Sequence, residues 1–257
     1  MTTLTIILPY FNEQGWIGPT IDSLVAQGDE RFELLLVDNG STDDSAREAF
    51  DYAAPLGERV HHLVCTEPGK TAALAFGLAH AASSYVATCD ADTLYPPDYV
   101  ARVIETFERH PDGVAVMAVD LYAPVTHPRS RRRERRIIAK GRRHPRKCHA
   151  GGYAQAFRRS ALLAAGGFCR ERWPYVLEDH EVVARLIDHG RLLYPPGHVC
   201  FPSARRHDRR SVNWTPLERL AYRFVPAGAS RWFFHRFLGP RLARRRAIAT
   251  ALREKSW

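Results

Sequence analysis

The chain has 257 residues, of which 45% are hydrophobic and 25% are charged, a composition typical of a globular protein with one sizeable core. No uninterrupted apolar stretch reaches about 18 residues, which excludes a predicted transmembrane helix. The five cysteines are odd in number and show no C-x-x-C spacing. Since the N-terminus leads directly into a predicted strand, with no signal peptide, we expect a reducing cytoplasmic location.

The net charge of +9 is unevenly distributed along the chain. Residues 129–147 contain eleven Lys/Arg and one Glu, and residues 205–257 contain fourteen Lys/Arg and three Asp/Glu. The remainder of the chain is therefore acidic. Two basic segments on an acidic body predict a polyanionic partner such as nucleic acid, an anionic membrane or a phosphorylated substrate. Solvated arginine-rich loops are the simpler alternative.

The first 110 residues alternate between short apolar runs and segments with helical spacing. This alternation predicts a parallel sheet with helices on both faces. Strands are expected at 4–8, 33–37, 60–64 and 85–89. Helices are expected from 16 to 25, after the candidate N-caps Ser41 and Thr42, from 71 to 82, and after Pro96-Pro97.

The fourth apolar run ends in two carboxylates, Asp90 and Asp92, one residue apart. Alternate side chains of a strand point to the same face, so both carboxylates should point the same way at its carboxyl end. Ligands of open α/β sheets bind at that end. Paired carboxylates there suit a hard cation, Mg²⁺ or Mn²⁺, which can grip a diphosphate. Ordinary loop acids are the alternative reading.

The pattern changes after a predicted strand at 114–121. Residues 122–150 are rich in Pro and Arg without an apolar period, which predicts a mobile loop. A helix is expected over 178–189 and short strands over 192–201. From 212 onward, aromatic and basic residues recur at helical spacing, which predicts a basic amphipathic helical extension. Its aromatic residues suit either a membrane interface or the core of the domain itself.

Polar residues follow all four predicted parallel strands, where they can line a single crevice. These blocks read ILPYFNE, LLVDNGSTDDS, EPGKTAALAFGLAHA and YVATCDAD, followed later by GGYAQAF and LEDHEVVARLIDHG. Taken together and in this order, over residues 4–201, they resemble the inverting, nucleotide-sugar-dependent glycosyltransferases of family 2, which have the GT-A fold. The fold class implied is α/β, a Rossmann-like, mostly parallel sheet flanked by helices.

The resemblance assigns roles to residues at the strand ends. It implies donor binding at the ends of the first two strands, the lysine turn and the acidic motif, with the divalent metal held by Asp92 together with Asp90. Gly151, Gly152 and Tyr153 fall in the family's acceptor-side segment. The donor-binding positions implied are Pro9, Tyr10, Asn12, Glu13, Asp38, Gly69, Lys70, Asp90 and Ala91.

The reaction requires a general base on the acceptor side of the sugar. The family's Glu-Asp pair matches Glu178 and Asp179, and the resemblance gives the base role to Asp179, with Glu178 in support. Both residues open a predicted helix, whose N–H groups stabilise carboxylates. A purely helix-starting role is the alternative.

The chain departs from the family in the helix after the lysine turn, where Leu74-Ala75-Phe76 replace a polar Arg-Asn pair that the family often has. We expect Arg205 or Arg206 to supply the missing donor contact. His207 is a candidate third metal ligand, although a lone His is more often structural.

The implied function is transfer of a sugar, most simply from a UDP-sugar, to a glycan or lipid-linked acceptor in bacterial polysaccharide or glycolipid biosynthesis. We expect Mn²⁺ or Mg²⁺ as cofactor and a cytoplasmic location, with peripheral contact to an anionic membrane through 212–257 and no nucleic-acid partner. The expected organisation is a glycosyltransferase domain over 1–211, divided into a nucleotide-sugar half (1–110) and an acceptor half (111–211), followed by the 212–257 extension.

Two alternatives from other functional classes stay open at this point. Asp90-Ala91-Asp92-Thr93 matches the start of haloacid-dehalogenase-type phosphatases, in which Asp90 would be the nucleophile, although three predicted strands precede it here. A non-enzymatic polyanion-binding or nucleic-acid-binding protein would explain the arginines but not the acidic strand ends.

Overall fold

A computed structural model describes residues 2–203, 214–248 and 250 of the chain. Its centre is a seven-stranded sheet with strand order β3-β2-β1-β4-β8-β6-β9. A smaller sheet, in the order β5-β10-β7, lies beside it. The strands are β1 (Leu4–Tyr10), β2 (Phe32–Asp38), β3 (Val60–Val64), β4 (Tyr85–Cys89), β5 (Thr93–Leu94), β6 (Gly113–Met117), β7 (Val119–Asp120), β8 (Ala154–Arg158), β9 (Arg191–Leu193) and β10 (Val199–Pro202).

Helices cover both faces of the central sheet. They are α1 (Ile17–Val25), α2 (Ser45–Ala53), α3 (Lys70–His80), α4 (Tyr99–Arg109), α5 (Pro128–Arg143), α6 (Arg159–Ala164), α7 (Glu178–Leu186) and α8 (Pro216–Phe224). After α8, the helical stretch 230–244 comprises α9 (Ser230–Trp232), a π-helical segment (Phe233–Leu238) and α10 (Gly239–Arg244). None of the helices in the described residues is long and apolar enough to cross a membrane.

The central strands are buried on both faces, which explains their continuous apolar runs. Alternate residues of β1 enter different cores. Ile6 and Leu8 pack in a core that includes residues of α1 and α4, whereas Ile7 packs in a second core that includes residues of α3 and α7. The prediction of a mostly parallel α/β sheet is confirmed: β1 pairs in parallel with β2 and β4, and β2 pairs in parallel with β3.

Several predicted boundaries need correction. The first strand continues through Pro9 to Tyr10 instead of ending at residue 8, and α2 begins after Asp44, not after Ser41 or Thr42. The predicted strand over 114–121 is two strands, β6 and β7, in two different sheets. β8, which the sequence did not reveal, enters antiparallel between β4 and β6.

The loop prediction for 122–150 is wrong for Pro128–Arg143, which forms the 16-residue helix α5. His127 caps this helix through its side chain, and Pro128 occupies its first turn, where a missing N–H costs nothing. The guanidinium of Arg133 donates to both carboxylate oxygens of buried Asp120 at 2.5 Å and so fastens α5 to β7. Arginine is also a good helix former. The arginine-rich run that was predicted to be a loop therefore forms a helix, and most of its arginines face solvent.

Within the described residues of the predicted C-terminal extension, 216–224 and 230–244 are helical, and part of this stretch belongs to the core. Phe233, Phe234, Leu238 and Leu242 are fully buried in one cluster with Trp173. Other apolar residues of this extension are exposed: Leu217 (58%), Leu220 (54%), Phe224 (72%) and Trp232 (58%). The extension therefore completes the fold and also presents an apolar surface.

Substitution of a buried aromatic residue in this extension should destabilise the whole protein. Phe234→Ala should lower the free energy of unfolding by about 3–5 kcal/mol, because it leaves a cavity beside Trp173. Phe224→Ala is the matched control, since that ring is 72% exposed, and it should change stability by less than about 0.5 kcal/mol. Denaturant unfolding measures both. Equal stability of the two variants would mean that the extension does not pack as described.

Candidate active site

The carboxyl ends of the parallel strands bring the predicted donor-side residues to one edge of the sheet. Tyr10 and Asp38 end the paired strands β1 and β2, and the charge of Asp38 adds to burial in raising the pKa of the Tyr10 hydroxyl. Asp90 and Asp92 follow β4, and Lys70 begins α3. These predicted residues therefore share one edge of the sheet.

Lys70 connects the two acidic motifs. Its Nζ lies 2.5 Å from Asp90 Oδ1 and 3.8 Å from Glu178 Oε1, so the ammonium bridges the motif after β4 and the start of α7. The side chain of Glu178 is only 14% exposed. Burial raises the pKa of the Glu178 carboxyl, the charge of Lys70 opposes that shift, and Asp179 reinforces it. One cation thereby holds together two carboxylates that would otherwise repel each other.

Loops after β1 and β2 support this edge. The Asn12 Oδ1 accepts a hydrogen bond from the Thr42 N–H (2.8 Å), and the Glu13 N–H donates to Ser45 Oγ (2.7 Å). Asn12 has a φ of 52°, a left-handed conformation that Asn adopts more readily than most residues. These contacts fix the backbone around the residues that the resemblance assigns to the donor.

Asn39, which the sequence analysis did not single out, holds the lysine turn. Its Nδ2 donates to the carbonyls of Cys65 (3.1 Å) and Glu67 (2.7 Å), and its Oδ1 accepts from the N–H of Gly69 (2.7 Å). Gly69 has a φ of 117°, which favours glycine, immediately before Lys70. A buried amide with three partners therefore sets where the lysine side chain starts.

Tyr95, also missed, connects the acidic motif to the acceptor-side glycines. Its hydroxyl donates to the carbonyl of Tyr153 (2.6 Å) and accepts from the N–H of Asp90 (2.9 Å). The Thr88 hydroxyl donates to the carbonyl of Gly152 (3.3 Å). Tyr95 lies only three residues beyond Asp92, but no sequence pattern shows that its hydroxyl reaches a segment almost sixty residues away.

Gly152 lies directly against the candidate base. A Cβ at this position would lie 2.7 Å from Cβ of Asp179, so only glycine allows this approach. Asp179 also lies close enough to Cys148 and Tyr222 to contribute to the raised pKa of each, although burial is the larger cause for both. Glu178 thus faces the donor edge through Lys70, whereas Asp179 faces the segment around Gly152 and α8.

The carboxylate oxygens of Asp92 are hard ligand atoms, the type that Mg²⁺ and Mn²⁺ prefer. Its carboxylate accepts a hydrogen bond from the Ser203 hydroxyl (3.1 Å), and its carbonyl accepts from the Ser203 N–H (2.9 Å). No cluster of three His, Cys, Asp or Glu side chains suited to a metal occurs within the described ranges. Two carboxylates with diphosphate and water still suit such a cation, because Mg²⁺ sites often use one or two carboxylates plus substrate phosphates.

The remaining predicted site residues occupy varied positions. Pro9 and Ala91 are in the buried interior, and the Ala91 carbonyl accepts from the Thr20 hydroxyl (3.0 Å). Tyr153 is largely buried, which raises the pKa of its hydroxyl, and Gly151 lies against its ring. Arg205, Arg206 and His207 lie outside the described residues.

Loss of the Asn39 amide should loosen the lysine turn. Asn39→Ala should lower the free energy of unfolding by about 1–3 kcal/mol, because the Gly69 N–H and two carbonyls lose their buried partner. It should also weaken nucleotide binding, measured by calorimetry with UDP and GDP. Thr66→Ala, an exposed change in the same turn, is the control. Unchanged stability in Asn39→Ala would contradict this role.

Comparison with solved structures supports the fold assignment. A mannosyltransferase from Pyrobaculum calidifontis, PcManGT, in complex with GDP-Man and Mn²⁺, is 25% identical and superposes with a TM-score of 0.69 over 99% of this chain and 76% of its own. Staphylococcus aureus TarS (residues 1–349) in complex with UDP-GlcNAc is 14% identical, with a TM-score of 0.61 over 92% of this chain and 72% of its own. The latter likeness shows the fold alone.

Curated relatives agree with this assignment over part of their length. Two undecaprenyl-phosphate 4-deoxy-4-formamido-L-arabinose transferases, from Klebsiella pneumoniae and Sodalis glossinidius, are 29% and 34% identical over 118 residues. These matches cover 44% of this chain and 36% of each relative. The chain thus spans about a third of the length of these relatives.

The model of the family described as glycosyl transferase family 2 matches residues 5–164, more than half of the chain. The phosphatase reading of the acidic motif and the non-enzymatic reading of the arginine-rich segments are therefore wrong. The chain belongs to glycosyl transferase family 2 and is a glycosyltransferase with the GT-A fold.

Proposed function

We propose that this enzyme transfers a sugar from a nucleotide-sugar donor, with a UDP-sugar as the first candidate, to an acceptor hydroxyl with inversion. The observation that carries the proposal is the bridge formed by Lys70 between Asp90 and Glu178, which joins the carboxyl edge of the sheet to the start of α7. Solved relatives in complex with GDP-Man and UDP-GlcNAc support a nucleotide-sugar donor.

On the donor side, Tyr10, Asp38 and Lys70 surround the edge at which the nucleotide would lie. Asp92 and Asp90 would hold Mn²⁺ or Mg²⁺, with His207 as a candidate third ligand. A divalent cation, when bound, neutralises the negative charge that develops on the leaving diphosphate. Lys70 adds a fixed positive charge at the same edge, and Asn39 and Gly69 set its position.

On the acceptor side, Asp179 accepts the proton of the attacking hydroxyl. Its side chain packs directly against Gly152, where any Cβ would clash with it, so the glycine allows the carboxylate to take this position. Glu178 supports this step by keeping Lys70 between the two motifs. Leu177, just before the pair, has a left-handed backbone with a φ of 67°, which is rare for a branched residue and typical of functional sites.

The names of two relatives support a class of acceptor. We infer a glycan or lipid-linked acceptor in bacterial polysaccharide or glycolipid synthesis, because two relatives carry names that specify undecaprenyl phosphate. A cytoplasmic location, peripheral on the inner face of the cell membrane, fits such an acceptor.

Two variants should distinguish donor binding from catalysis, because one should lose donor binding and the other should lose only turnover. Asp92→Asn should lose the thermal stabilisation that a nucleotide sugar with Mn²⁺ gives to the wild type. Asp179→Asn should keep that stabilisation and lose about 10²–10⁴-fold in turnover, the usual contribution of a general base. Thermal shift and donor hydrolysis over a panel of UDP-, GDP- and dTDP-sugars measure both. No stabilisation of the wild type by any donor would contradict the proposed function.

We further propose that α8 contacts an anionic membrane. Leu217, Leu220 and Phe224 lie three and four residues apart, so they form one apolar stripe on the helix, and all three are more than half exposed. Arg219 and Arg223 lie on the same helix. Exposed apolar residues beside basic ones are typical of helices that lie in the membrane interface.

Vesicle flotation tests this contact with surface variants, since the buried part of the extension makes truncation unsuitable. Leu217→Ser with Phe224→Ser should abolish binding to vesicles containing phosphatidylglycerol, because it removes the exposed stripe. Leu163→Ser with Phe50→Ser is the control, with the same residue types exposed on α6 and α2. Equal flotation of the two double variants would exclude α8 as the contact.

A further inference from the structure

A groove of about 630 Å³ lies between α5 and α8, outside the donor crevice. Arg136, Lys140 and Arg143 of α5 line one wall, and Arg219 and Arg223 of α8 line the other. The segment 144–149, which includes Lys147, and the ring of His180 on α7 complete its lining, together with Trp214 and Tyr222. Of the described residues that line this cationic groove, none is Asp or Glu.

Among the described residues, no neighbouring acid neutralises the cations of the cationic groove. Within the described part of the chain, none of its Lys and Arg residues forms a salt bridge, whereas Arg47 on α2 and Arg102 and Arg109 on α4 each pair with a carboxylate. The Lys147 ammonium instead donates to the carbonyls of Tyr222 (3.2 Å) and Arg223 (2.8 Å), which holds the C-terminal end of α8 to the segment 144–149. Convergent positive charges without acids attract an anion from solution.

Two histidines in the cationic groove have an unused ring nitrogen. His149 Nε2 and His180 Nδ1 are buried and make no hydrogen bond within the described residues. Burial, together with the charges of Lys140 and other neighbours, lowers the pKa of His149 to about 4, so its ring is neutral at pH 7. The positive charges of the groove thus disfavour protonation of His149.

The cationic groove lies next to the candidate base. His180 follows Asp179 in α7, and its ring packs edge-on against Trp214 and Tyr222 at centroid distances of 5.3 and 6.1 Å. The N–H of Cys148 donates to the Tyr222 hydroxyl (3.2 Å), close to the Gly151-Gly152 segment. A ligand in the groove would therefore reach the acceptor side of the reaction centre and not the nucleotide side.

We propose that the cationic groove is an acceptor subsite for a phosphate ester, so that the enzyme acts on a phosphate-bearing acceptor. This inference rests on the proposed function, since it assigns the Asp179 side to the acceptor. Arg and Lys bind phosphate oxygens by charge-assisted hydrogen bonds, and the aromatic rings beside them suit a sugar or alkyl portion. A phosphate on a lipid and a phosphodiester within a glycan share this chemistry.

Calorimetry at about 150 mM salt, where exposed charges are screened beyond roughly 8 Å, tests the subsite. The probes are a glycerol phosphate hexamer, as a soluble phosphodiester, and decyl phosphate, as a lipid phosphate. Lys140→Gln with Arg219→Gln should weaken binding of the preferred probe about tenfold or more, because two charge-assisted contacts are lost. Arg132→Gln with Arg231→Gln, an equal charge change at exposed residues outside the groove, is the control and should change it less than about twofold.

The outcomes separate this inference from the proposed function. Selective loss in the groove variant supports the subsite for whichever probe binds the wild type, and the bound probe identifies the source of the phosphate. Equal loss in both double variants, or no binding of either probe to the wild type, would overturn it. Thermal shift with nucleotide sugars and Mn²⁺, run on the wild type in parallel, reports on the donor site alone, so its failure would count against the proposed function instead.

Discussion

The ion bridge from Asp90 through Lys70 to Glu178 is the interaction on which the rest of the site depends. Two acidic motifs that are almost ninety residues apart in the chain meet at Lys70, where their carboxylates would repel each other in partly buried surroundings. The ammonium of Lys70 offsets that repulsion. Its own position is set by the Asn39 amide and by the left-handed backbone of Gly69. The packing of α3 and α7 against the sheet thus sets the relative positions of the three charged groups.

The sequence predicts well those features that depend on local period and on strand ends. The apolar runs of β1, β2 and β4 are continuous because both faces are buried, and their polar successors share one edge because the strands are parallel. The roles of individual residues remain predictions, including the base role of Asp179. The roles of Asn39 and Tyr95 could not be predicted in this way, because each residue acts through hydrogen bonds to backbone groups that are distant in the sequence.

Features that depend on tertiary context were harder to predict. The Arg-rich segment lacked an apolar period because α5 buries only a narrow strip, including Ile137, Ile138 and Gly141, and exposes the remainder. Its attachment through Arg133 to Asp120 could not be read from spacing. From the sequence, the aromatic residues of the extension suited a membrane interface and a protein core equally well. In the fold, some of them are buried and others are exposed. Phe233 and Phe234 enter the interior, whereas α8 keeps its stripe outside.

The left-handed backbone of Leu177 has a consequence for how function is lost. Its side chain packs against the aromatic cluster that contains Phe233, Phe234 and Trp173, and this packing compensates for the strain of the turn that presents Glu178 and Asp179. A substitution that merely relaxes this cluster would let the turn drift without unfolding the domain. Under the proposed function, selections for inactive enzyme should therefore recover folded proteins altered in the C-terminal extension, and a survey of the proposed site residues alone would misclassify them as harmless.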